Sequence, residues 1–277
     1  MTNRISISWK DWATVAFRIG LVLLIALCLL PGPIEALFAD YEEDLNAPLS
    51  PRALSHYQFM KRHFEAPFAG YSATDVLIEQ FSAVLLSHAA LGFLNVASAS
   101  PRYRSETAPL IEEIYRRVVS SEVSPYSAAI NDVSQFGDYN LYLSHLNLIL
   151  GAACAVSKYS THDTVHRRIS EHLVQRSLAH KSGVARSYPQ SPRFPADQAA
   201  ALASLYLYDL CHRTTVAKKP IERWLRYMRT HGTDKKTGLH ISSVSSGFRD
   251  SRLPRGCALS WTILYMSQFA PKEAHEL

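Results

Sequence analysis

What most constrains this chain is a unit of about 57 residues that pairs an almost wholly apolar helix with an amphipathic one. The apolar segments are "TDVLIEQFSAVLLSHAALGFLNVAS", "DYNLYLSHLNLILGAACAVSKY", "PADQAAALASLYLYDLCHR" and "GCALSWTILYMSQF". Between them lie "ETAPLIEEIYRRVVSSE", with Leu110, Ile114 and Val118 at i, i+4 and i+8, and "HDTVHRRISEHLVQRSLAHK", with Val165, Ile169, Leu173 and Val174 on one face. "PIERWLRYMRTH" follows, and its Pro220 suits a first helical turn. Ser87-His88 recurs as Ser144-His145, 57 residues on. The linkers repeat as well: each has a Gly, a short extended piece, a Pro, and then an apolar helix containing Ala-Leu.

An all-round apolar helix must be buried on most sides, whereas an amphipathic one must line an outer surface. The pattern therefore predicts an all-α fold of helical hairpins. An open solenoid is one solution, but its repeats run to about 34–47 residues. The longer unit and the apolar inner helices favour a closed α/α toroid. Inner helices are expected to start near residues 75, 138, 196 and 256, and the last has no outer partner before "PKEAHEL". The toroid is thus expected to be incomplete, with a homo-oligomer as one way to cover an open apolar edge.

The N-terminus follows another pattern. Ile19 to Leu30 is uninterrupted apolar sequence, and Ala13 to Leu30 gives 18 residues with Arg18 able to snorkel. Arg4, Lys10 and Arg18 precede the run and "DYEED" follows it, which places the N-terminus in the cytoplasm. The expected organisation is a cytoplasmic segment at 1–12, a signal anchor at 13–38, and a toroid domain at 39–277 in the periplasm, tethered to the inner membrane by one pass. A cleaved signal peptide is less favoured because Leu37 is large where "ALFA" should offer a small residue. A buried N-terminal helix of a cytosolic protein is the third reading.

Net charge is +5, with the basic residues scattered and no aromatic-interleaved stripe, so no nucleic-acid partner is expected. The four cysteines, Cys28, Cys154, Cys211 and Cys257, are spaced by 126, 57 and 46 residues, which is neither CxxC nor a zinc pattern. The histidines form no HExxH, so no metal is expected.

In a ring of hairpins the starts of the inner helices and their linkers share one mouth. The polar residues there are Asp75 and Glu79; Asp138, Tyr139, Tyr142 and His145; Tyr188, Asp197 and Gln198; Arg255 and Cys257. Spacings of four and three place Asp138, Tyr142 and His145 on one helical face. A carboxylate in an apolar cavity stays partly protonated, and an imidazole exchanges protons near neutrality, so this is equipment for acid–base chemistry without a metal. Each residue also has a structural reading: His145 and His88 as core histidines, Asp138 and Asp197 as helix-start carboxylates, Tyr188 and Arg255 as loop residues, Cys257 as a small hydrophobe.

The motifs His145–Leu148 (His-Leu-Asn-Leu), Ser204–Asp209 (Ser-Leu-Tyr-Leu-Tyr-Asp) and Trp261-Thr262, in this order over residues 50–271, resemble the linalool dehydratase/isomerase family. The resemblance implies a six-hairpin α/α toroid outside the cytoplasmic membrane that dehydrates or isomerises a tertiary terpene alcohol without a cofactor, with His145 as a site histidine. Two family cysteines fall near Tyr188 and Asp197 here, a family tyrosine falls near Cys257, and the family continues for about two more hairpins. The expected activity is therefore a lyase or isomerase on a hydroxylated small molecule, with His145, Asp138 and Asp197 catalytic and Tyr142, Tyr188, Cys257 and Arg255 binding substrate. A glycan-processing toroid with paired carboxylates is the alternative enzyme, and a non-catalytic binding or assembly module is the alternative to an enzyme.

Overall fold

The structure is a computed structural model that describes residues 49–66, 76–120, 123, 137–157, 161–244 and 252–277. The expected anchor at 13–38 lies outside the described residues, as do Asp75 and residues 124–136. The chain divides into Met1–Pro51 and Arg52–Leu277, and the description below concerns the second unit.

It is built of helices. In chain order they are α1 (Pro51–Glu65), α2 (Val76–Ala99), a 3-10 turn at Pro101–Tyr103, α3 (Arg104–Val118), α4 (Asn140–Val156), α5 (Asp163–Ala179), α6 (Pro195–His212), α7 (Lys218–His231), α8 (Gly256–Met266) and the short α9 (Pro271–His275). The apolar helices α2, α4, α6 and α8 pack side by side in that order. The amphipathic ones lie against them: α3 on α2 and α4, α5 on α4 and α6, and α7 on α5. The alternation predicted from hydropathy is thus an inner row and an outer row.

The outer helices bury the stripes their sequences predict. On α3 these are Leu110, Ile111, Ile114 and Val118. Ile169 and Leu173 are buried on α5, with Val165 and Val174 half-buried at its margin. On α7 the stripe is Pro220, Trp224 and Met228. Nearly all of α4 is buried. Burial of each large apolar side chain contributes about 1.5–3 kcal/mol, so the inner row dominates the core.

Equal unit length has a geometric result. Two inner helices joined through one antiparallel outer helix run parallel, so residues one unit apart sit side by side. Ser87 meets His145, and the Asn147 amide donates to Ser204 at 3.2 Å and to Ser170 at 3.1 Å. These buried polar links fix the register of α2, α4, α5 and α6, since a slip would leave each group unpaired.

Of the helices described, α2 is long and apolar enough to cross a membrane, over Phe81–Ala99, yet half of that stretch is buried in the protein. It is placed here as a core helix. Phe81 and Leu85 on α2 and Leu264 on α8 remain exposed.

The linker glycines have a specific task. Gly183 has φ +69°, and a Cβ there would lie 3.0 Å from the Trp224 backbone nitrogen; Gly238, at the matching place in the next linker, has φ +75°. Gly183→Ala is expected to destabilise the protein by on the order of 1–3 kcal/mol, from the left-handed backbone and the clash together. Gly238→Ala meets no neighbour and should cost less. Chemical denaturation of both variants tests the ranking.

Candidate functional site

Each inner helix contributes to one cluster of protonatable and aromatic groups. α2 supplies Ser87 and His88, α4 supplies His145, α6 supplies Asp197 in its first turn, and α8 supplies Trp261 and Tyr265. His145 is fully buried at the centre. Its Nδ1 lies 2.7 Å from Ser87 Oγ, and its ring packs 6.2 Å from His88, 5.9 Å from Trp261 and 6.1 Å from Tyr265. Its Nε2 has no hydrogen-bond partner among the described residues. Burial, assisted by His88, pushes the His145 pKa down to about 3, so the ring is neutral at any ordinary pH.

His88 has a defined tautomer. Its Nδ1 is 2.8 Å from the Val84 carbonyl, which can only accept, so the proton is on Nδ1 and the Nε2 lone pair is free. The Tyr265 hydroxyl reaches that lone pair at 3.3 Å across the gap between α8 and α2. Burial holds the Tyr265 pKa up at about 12. The result is a phenol donating to an imidazole that is oriented from behind by a backbone carbonyl.

These two side chains face a cavity of about 290 Å³ between the inner helices, lined otherwise mainly by apolar groups such as Leu91, Leu148, Ala203 and Leu207. His145 lies one layer behind it and does not line it. Asp197 lies further toward the helix starts, close enough for its charge to act on Tyr265. Its carboxylate accepts a hydrogen bond from Ser187, and burial raises its pKa to about 6 despite that bond.

The raised value has a sign. An unfolded Asp ionises near 3.8, so between about pH 4 and 6 the folded chain holds a proton the unfolded chain has lost. Asp197 therefore contributes no penalty below pH 4, and stability falls as pH rises to 6, by about 3 kcal/mol at most. Asp197→Asn should remove this slope and melt above wild type at pH 7 but not at pH 4.

The other expected site residues are not brought to this cluster. Asp138, predicted to share a face with His145, precedes α4 and pairs with Arg176 on the outer helix α5. Tyr142 also turns outward: its hydroxyl donates to the Val118 carbonyl at 2.9 Å and ties α4 to α3. The one-face expectation fails because positions three apart differ by about 60° around a helix, enough here to send Tyr142 to the outer row and His145 inward. Tyr188 is 37% exposed in the linker, where its backbone bonds with Ser191. Arg255 and Cys257 are exposed at the start of α8. Two residues of this cluster, His88 and Tyr265, are not legible as site residues in the sequence: the Ser-His repeat is a signal for the first, and Tyr265, one turn beyond Trp261, carries none of its own.

A larger, open cleft of about 1130 Å³ lies beside α7, lined by His180, Lys181, Arg193, Lys235, Arg252 and Asp234 among others. Asp234, the one carboxylate among its lining residues, accepts bonds from Thr237 and Lys236 that depress its pKa. Among the described residues no second carboxylate lines this cleft, so those residues form no glycosidase-type pair there. Among known proteins, no family model matches this chain, and no curated protein matches it.

Proposed function

We propose that this chain is an α/α-toroid-type lyase or isomerase that acts on a small, largely apolar, hydroxylated molecule by acid–base chemistry, as the resemblance to the linalool dehydratase/isomerase family implies. The observation that carries the reading is the His88–Tyr265 pair facing an apolar cavity, with each of the four inner helices contributing to the cluster around it. His88 Nε2 accepts a proton from the substrate, or returns one to a leaving hydroxyl, and Tyr265 relays and orients it. Trp261 and the His145 ring hold Tyr265 in place, and Ser87 holds His145. Asp197, titrating near 6, adjusts the field on Tyr265. The cavity's modest volume and apolar lining favour a compact alcohol over a glycan.

The test is incubation of the purified full chain with tertiary and allylic terpene alcohols, with products followed by gas chromatography. Formation of an alkene or rearranged alcohol supports the reading. A binding shift with oligosaccharides and none with these alcohols refutes it. In the same proposal residues 13–38 anchor the chain in the inner membrane with residues 39–277 in the periplasm. A phosphatase fusion at the C-terminus should be active, and a cytoplasm-restricted reporter there silent.

One further observation favours the assembly module: the exposed Phe81, Leu85 and Leu264 on the inner helices α2 and α8. Light scattering distinguishes it, because a homo-oligomer that lacks turnover would support this second reading.

A further inference from the structure

A second cluster lies at the other end of the inner row. Cys154 is nine residues beyond His145 on α4, about 13 Å along the axis and half a turn around it, and it is not among the residues that line the cavity. Its Sγ, an Asp163 carboxylate oxygen and a His212 ring nitrogen all lie within 4.8 Å of one another. Asp163 opens α5, and His212 closes α6. Cys211, beside His212, is close enough to hydrogen-bond Cys154, and its thiol donates to the Gly151 carbonyl at 3.5 Å. Both cysteines are free thiols.

The surroundings add an independent observation. His166 is fully buried, with Nδ1 3.1 Å from His212 Nε2. Its own Nε2 has no partner among the described residues. In the tautomer that donates Nε2–H to His166, His212 keeps Nδ1 as its lone-pair nitrogen. That is the arrangement by which a second side chain fixes the tautomer of a metal-ligating histidine.

We propose that Cys154, Cys211, His212 and Asp163 form a binding site for zinc or a zinc-like divalent cation, with His166 positioning His212. Two soft sulfurs, an imidazole and one carboxylate are a zinc donor set, unlike the all-oxygen sets of calcium or magnesium. Bond lengths of about 2.0–2.3 Å around a tetrahedral ion put donors roughly 3.2–3.8 Å apart, so the Cys154, Asp163 and His212 atoms, already within 4.8 Å of one another, need contract by about 1 Å, and the Cys211 thiol, within hydrogen-bond reach of Cys154, turns from the Gly151 carbonyl to complete the set. Asp163 is exposed, which gives the ion a route in. On binding, each thiol loses its proton to solvent and bonds the ion as thiolate, with no change of oxidation state. The bound ion would clamp the ends of α4 and α6 to the start of α5, a structural role separate from the cavity. No local motif announces such a site, because its donors come from three helices.

The test is titration of the reduced, metal-stripped full chain with cobalt(II). One equivalent should give sulfur-to-cobalt charge transfer in the near ultraviolet and the intense visible bands of a tetrahedral ion, both abolished by one equivalent of zinc. Cys154→Ser and Cys211→Ser should each halve the charge-transfer intensity, and Cys257→Ser should leave it unchanged. His166→Ala should keep the spectrum but weaken binding 10–100-fold. The conservative serine variants are checked for fold by circular dichroism. Absence of charge transfer in folded, reduced wild type overturns the proposal, as does a band that survives in the double serine variant. A thiol titration showing the pair as a disulfide, with no cobalt bound after reduction, overturns it too.

Discussion

Replacing His88 with glutamine, or Tyr265 with phenylalanine, is expected to lower turnover of the proposed alcohol substrate by on the order of 10²–10⁴-fold, the range for losing one positioned proton-transfer group. The two changes act differently. Glutamine can still meet the Val84 carbonyl but has no titratable nitrogen to take a proton. Phenylalanine keeps the ring that packs on Trp261 and His145 and removes only the hydroxyl 3.3 Å from His88 Nε2. Because the groups act as a pair, the double variant should be little worse than either single one. The control is Tyr142→Phe. Its hydroxyl is spent on the Val118 carbonyl, so the change should cost about 1 kcal/mol of stability and leave turnover intact. If Tyr142→Phe is the inactive variant and Tyr265→Phe the active one, the cavity has been assigned to the wrong side of α4.

That contrast shows what the sequence made legible. Hydropathy alone sorted the helices into two rows, since α4 is apolar on every side while α3 and α7 carry narrow stripes such as Trp224 and Met228. The 57-residue spacing held more than a count of hairpins. It is the register between neighbouring inner helices, and it sets Ser87 against His145 and Asn147 against Ser204. His145 could be singled out because a histidine inside an apolar run is rare and costly to bury unpaired. Spacing groups Asp138 and Tyr142 with it, but helical spacing does not say which neighbour each side chain meets. Arg176 and the Val118 carbonyl, which claim those two residues, belong to outer helices. Tyr265 was invisible for the same reason: its role comes from α8 meeting α2, 177 residues away in the chain.

Arg117→Met is expected to be the most destabilising single change outside the inner row, at about 3–5 kcal/mol, the usual result of removing one partner from a buried charged network. The Arg117 side chain is 2% exposed. Its Nε donates to Glu113 at 2.7 Å, and Nη2 donates to the carbonyls of Phe64 and Ala66 at 3.1 and 3.0 Å. The guanidinium also lies 4.9 Å over the Phe64 ring. It thus closes the end of α1 onto α3 and satisfies two carbonyls at the end of α1. Methionine keeps the packed stem but leaves those carbonyls without this donor and Glu113 with Arg116 as its remaining partner on α3. For a chain of this size the melting temperature should fall by on the order of 10 °C. Lysine should recover little, because a single ammonium cannot reproduce the fork. The pH dependence has a definite sign. Burial raises the Glu113 pKa, but bonds from Arg117 and Arg116 outweigh it and hold the carboxyl below its ordinary 4.5. The pair's contribution is therefore complete above about pH 4.5 and lost as pH falls through the lower folded value. The gap between wild type and Arg117→Met should narrow in acid, and a variant that melts within 2 °C of wild type at pH 7 would show that α1 is held by other contacts, such as Tyr57, Phe64 and the Lys61–Glu106 pair.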